Sequence, residues 1–159
     1  YRALSLGNNV LGQFGMMGRI GDVVREQAGL AYYASTSLNA GIFTGTLEVS
    51  AGVNPANVQR AIDLILAELK RFVSEPVLPK ELQDSQANFI GRLPLSLESN
   101  SGMAAAILKL ERYGLGLDYY RHYATRVAAV TPQQVLETAQ RYLHPDRLVI
   151  VSAGSIQAE

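Results

Sequence analysis

The sequence predicts an α+β domain: an antiparallel sheet with helices packed on one face. Three observations predict it. In residues 42–53, Phe43, Gly45, Leu47 and Val49 alternate with Thr44, Thr46, Glu48 and Ser50, a period of two that marks a strand with one covered and one wet face. Residues 30–38 form a second β-type run, and Asn39-Ala40-Gly41 between the two is a hairpin signal. Elsewhere apolar residues recur at helical spacing, most clearly Val58, Ala61, Ile62, Ile65, Leu66, Leu69 and Phe72. A half-wet sheet with several helices is the pattern of helices gathered on one side.

Taken in order, residues 4–11 read as a helix, apolar at Leu6, Val10 and Leu11. Gly12, Gly15 and Gly18 then punctuate a connector whose spacing fits neither a phosphate-binding loop nor a dinucleotide fingerprint. It reads as a tight turn or as a mobile loop beside a cleft. Residues 19–28 form a short helix with Ile20, Val23, Val24 and Gln27 inward, and Gly29 ends it. After the hairpin, Asn54-Pro55 caps and opens the long helix, whose other face carries Arg60, Asp63, Glu68, Lys70 and Arg71 as a solvated surface. A helix over 81–97 breaks at Pro94. Ser99 caps the next, which runs to about Tyr113 and ends at Gly114-Leu115-Gly116. A short helix over 118–127 has Asp118 as its cap. Thr131-Pro132-Gln133-Gln134 is a capping box, and its helix runs to about Leu143. The Leu-Val-Ile-Val run within 147–153 reads as a buried final strand. Two or three strands make a poor sheet, and a helix-first start leaves them an unpaired edge.

The whole 159-residue chain fits one domain, and its Tyr-Arg start suggests a fragment of a larger chain. Fourteen basic and fourteen acidic residues balance at a pI near 7.0, which gives no electrostatic footprint for nucleic acid or an anionic membrane. No apolar run reaches the roughly 18 residues of a membrane span. The absence of Cys excludes disulfides, thiolate catalysis and Cys-ligated metal.

The chemistry narrows to residues 25–33, Arg-Glu-Gln-Ala-Gly-Leu-Ala-Tyr-Tyr. Arg25 lies roughly 6 Å back along its helix from Gly29, and Tyr32 roughly 10 Å out along the strand. If the chain reverses at Gly29, a guanidinium with five donors stands beside a phenol. Such a pair can hold a peptide carbonyl and stabilise an oxyanion. The structural alternative is that Arg25 bonds the last carbonyls of its own helix and Tyr32 is an ordinary strand residue. No Gly-x-Ser-x-Gly elbow occurs, and His122 and His144 do not have the His-x-x-Glu-His spacing of a zinc helix. Glu98 and Glu111 read as solvated helix residues.

Arg25 followed by Tyr32 within Val-Arg-Glu-Gln-Ala-Gly-Leu-Ala-Tyr resembles the Arg/Tyr pair of the pitrilysin (M16, insulinase-type) zinc metallopeptidases, in the half of the molecule that does not bind zinc. Asn9-Val10-Leu11-Gly12, Gly18-Arg19-Ile20 (without the family's Ser before the Arg), Val130 to Val135 and the closing run 148–154 resemble that family in register. The resemblance implies the non-zinc domain of such an enzyme, in which a strand pair precedes the first helix, so one or two strands N-terminal to Tyr1 are expected to be missing or unresolved. Tyr32 would donate to the tetrahedral oxyanion, and Arg25 would bind a substrate backbone carbonyl. No cofactor or metal belongs to this domain; zinc would sit in a partner domain or subunit. The implied partners are that zinc-bearing M16 domain, a peptide substrate, and a homo- or heterodimeric arrangement. The compartment stays open between bacterial periplasm and cytoplasm. A catalytically silent, structural core-type subunit of the same family, or a peptide-binding module using an exposed sheet edge, are the alternatives.

Overall fold

A computed structural model describes residues 1–14, 18–43 and 45–154. The fold is α+β, as expected. Helix α1 (Arg2–Gly12) buries Leu6, Val10 and Leu11. A one-turn helix α2 (Gly18–Gly21) runs into a π-helical turn, Asp22–Gln27. Strands β1 (Ala31–Asn39) and β2 (Thr46–Val53) pair antiparallel. The helices α3 (Val58–Ser74), α4 (Pro79–Ser96), α5 (Asn100–Arg112), α6 (Tyr123–Ala128) and α7 (Pro132–Tyr142) follow. None of the described helices is long and apolar enough to cross a membrane.

Three predicted helix starts, at Asn54, Ser99 and Thr131, carry their side-chain caps. Asn54 Oδ1 accepts from the Ala56 N–H at 3.0 Å, Ser99 Oγ from the Gly102 N–H at 3.0 Å, and Thr131 and Gln134 form the reciprocal capping box. Phe72 of α3 is buried against α1 and α7; a Cβ on Gly7 would lie 3.1 Å from its ring and 2.8 Å from Val135 Cγ1. α1 therefore sits against this cluster through a glycine.

Several expectations are corrected. The helix expected over 19–28 is mostly a π-turn, and Gln27 is exposed, donating to Asp22 Oδ2 at 2.6 Å across five residues, the spacing of π winding. β2 begins at Thr46, so Ile42 and Phe43 lie exposed in a longer connection; Thr44 is outside the described residues, as is Gly15 of the glycine connector. Glu68, assigned to the wet face, is 5% exposed and paired. α4 continues through Pro94, which falls in its last turn and has no N–H to give the Ile90 carbonyl; Ser96 Oγ donates to the Leu93 carbonyl at 2.7 Å. Asp118 does not cap α6, which starts after His122. Residues 148–153 form no strand and are exposed, because no strand among the described residues lies beside them.

Candidate substrate-contacting site

The site is built around Gly29. Its φ of +64° is the left-handed conformation that ends helices, and its N–H donates to the Arg25 carbonyl at 3.0 Å. The next N–H, of the buried Leu30, donates to the Val24 carbonyl at 3.0 Å. These two bonds close the π-turn and send the chain back as β1. Arg25 stands on the turn with its side chain 30% exposed, and its Nε lies 3.4 Å from Glu26 Oε1. Tyr32 stands on the strand, 89% exposed. The two residues flank the same bend, and no hydrogen bond joins their head groups among the described residues.

Tyr32 has a further peculiarity. Ala31 pairs with Val53 and Tyr33 with Gly52, so Tyr32 is the unpaired extra residue of a β-bulge. A bulge re-aims the side chain it carries, and here it turns the phenol to solvent. Tyr33 lays its ring on Gly52, where a Cβ would come 2.6 Å from Cε1.

Beneath the bend lies an ion network that sequence reading missed. Arg19 is bidentate to Glu81, Nε to Oε1 at 2.8 Å and Nη2 to Oε2 at 2.5 Å, and its Nη1 is 3.6 Å from Glu68 Oε1. Arg71 Nε reaches Glu68 Oε2 at 2.9 Å. Burial works against the Arg19 charge, but Glu81 and Glu68 outweigh it and hold its pKa above the ordinary value. Burial likewise pushes the Glu81 carboxyl up, while the Arg19 hydrogen bond and the Leu78 N–H overcome it and hold the group below the usual carboxylate range. The network ties α2, and so the base of the π-turn, to α3 and α4. A signal was available: Glu68 is four residues before Phe72 and seven after Ala61, on the apolar stripe itself.

Among the described residues, no three His, Cys, Asp or Glu side chains gather as a metal site requires. His122 Nε2 is 3.7 Å from Asp118 Oδ2 on the surface, and His144 precedes the short turn at Pro145–Arg147. This donor set does not fit a catalytic zinc with three protein ligands.

Residues 1–89, more than half of the chain, match the peptidase M16 inactive domain. The chain belongs to that family. A relative, the uncharacterized zinc protease YmxG of Bacillus subtilis (strain 168), is 35% identical over 98 residues, covering 61% of this chain and 24% of the relative. The crystal structure of a peptidase M16 inactive domain from Pseudomonas fluorescens superposes with a TM-score of 0.83 at 24% identity, over 92% of this chain and 35% of that one. The periplasmic protease PqqL from Escherichia coli shares the fold at a TM-score of 0.74 and 19% identity, over 89% of this chain and 15% of that one. The chain thus spans about a third or less of the length of these proteins. Membership of the M16 inactive domain agrees with the α+β fold.

Proposed function

We propose that this M16 inactive domain is the substrate-contacting, non-zinc half of a metallopeptidase. Zinc is assigned to a partner domain or subunit, and the residues of this chain bind and orient. Tyr32 donates its phenolic O–H to the oxyanion that develops on the scissile carbonyl. Arg25 donates to a neighbouring backbone carbonyl of the peptide. The observation that carries the reading is the bulge that holds Tyr32 open to solvent beside the bend bearing Arg25. The Arg25–Glu26 contact is no obstacle, because an exposed pair of this kind is worth about 0–1 kcal/mol.

The assembled enzyme tests this. Tyr32→Phe removes the donor and keeps the ring, so kcat is expected to fall about 100- to 1,000-fold with little change in KM. An unchanged kcat removes Tyr32 from the mechanism and favours a silent structural subunit. The chain by itself is expected to cleave no peptide; cleavage by the purified chain, abolished by a chelator, would contradict the division of labour.

A further inference from the structure

Helix α5 turns an apolar stripe to solvent. Leu110 is its one buried residue, with Ala106 and Gly102 half-buried one and two turns earlier on the same side. The side turned away carries Asn100, Met103, Ala104, Ile107, Leu108 and Glu111, at the i, i+3, i+4, i+7, i+8, i+11 spacing of a single helical face. Met103, Ile107 and Leu108 are 46%, 58% and 64% exposed. A contiguous apolar stripe rimmed by polar groups marks an interaction surface.

The charges around the stripe say what fits it. Glu98 stands just before the Ser99 cap, and Lys109, Glu111 and Arg112 lie in the last turn, so one end of the helix is net acidic and the other net basic. Glu98 and Arg112 are exposed and make no ion pair among the described residues, and the Glu111 carboxylate has no partner among them either. A second copy of α5 laid antiparallel matches this arrangement at both ends. Met103 then faces Leu108 of the second copy, Ala104 faces Ile107 of the second copy, and Arg112 reaches Glu98 of the second copy. Glu111 comes beside Asn100 of the second copy, whose side-chain amide can donate to it, at the positive end of that helix. A two-fold axis repeats each of these contacts.

We propose that α5 is a self-association surface: a second copy of this chain binds it antiparallel, about a two-fold axis that passes between the levels of Ala105 and Ala106. At about 1.5 Å per residue, the 13 residues of α5 span roughly 20 Å. A contact of that length is smaller than a standard interface, so the dimer is a transient one that forms as concentration rises. The inference is independent of the peptidase reading, because α5 carries neither Arg25 nor Tyr32 and the pairing needs no zinc-bearing partner.

A charge swap tests both the surface and the direction of pairing. Sedimentation equilibrium of the complete polypeptide should show a monomer–dimer equilibrium between about 1 μM and about 1 mM. Glu98→Arg turns both Glu98–Arg112 pairs into like-charged ones and should raise the dimer dissociation constant about 10-fold. Arg112→Glu should do the same. Both positions are exposed, so neither substitution disturbs the core. An equimolar mixture of the two variants should dimerise as the wild type does, since every pair across the axis is again of opposite sign. A polypeptide that stays monomeric over this range overturns the proposal and leaves α5 to another domain or subunit. A dimer that neither variant weakens, or that the mixture fails to restore, is held through another surface or register and overturns it as well.

Discussion

Glu68 is a carboxylate inside the domain, and only Arg19 and Arg71 make its place intelligible. An unpaired buried charge is very costly, so the network stands or falls together. Glu81 gives it a measurable pH signature. Its folded pKa lies below the unfolded value of about 4.3, so its contribution to stability is fully present above that value. It is lost as pH falls through the folded pKa. Glu81→Gln should cost about 1–3 kcal/mol at pH 7, and the gap in Tm between wild type and variant should narrow below about pH 4. A gap independent of pH from 7 to 3 would remove Glu81 from the acid response. At this scale the bend at Gly29, between Arg25 and Tyr32, was legible in the sequence, because a glycine stop between a helix and a strand is a local signal. That Tyr32 sits in a bulge was not, although Gly52 inside a strand was the available hint.

At the scale of elements, two glycines differ in what they do. Gly29 needs its positive φ, but a Cβ there would meet nothing within 4 Å, so Gly29→Ala carries only the conformational cost of about 1–2 kcal/mol. Gly12 is where α1 meets the backbone of β1. Gly12→Ala drives a methyl group into Thr36 and forces the helix off the strand, at the upper end of the roughly 1–3 kcal/mol of overpacking or beyond. Urea unfolding of both variants should rank Gly12→Ala as the less stable; the reverse order would mean that α1 shifts without cost. Caps and stripes were visible in the sequence because they depend on residues within one turn. The π-turn was not: Asp22–Gln27 reads as ordinary helix, and its winding is held by the Gly29 and Leu30 bonds beyond its end.

For the whole molecule, Phe72 is the point where α1, α3 and α7 meet, with the Arg19 guanidinium 6.0 Å from its ring. Phe72→Ala should cost about 3–5 kcal/mol. Against the roughly 5–15 kcal/mol of a typical domain, that brings thermal unfolding close to working temperature, which calorimetry would record; a loss under 1 kcal/mol would mean the three helices do not share one core.

The sequence by itself determined the hairpin, most of the helices and the caps at Asn54, Ser99 and Thr131, since each is encoded by neighbours along the chain. Only the tertiary structure decided that Glu68 is inside, that Tyr32 is turned outward by a bulge, and that residues 148–153 lie outside any strand. Each of these depends on a partner distant in sequence: Arg19 for Glu68, the register of Val53 and Gly52 opposite Ala31 and Tyr33 for the bulge at Tyr32, and for the last stretch a neighbouring strand that the described residues do not supply.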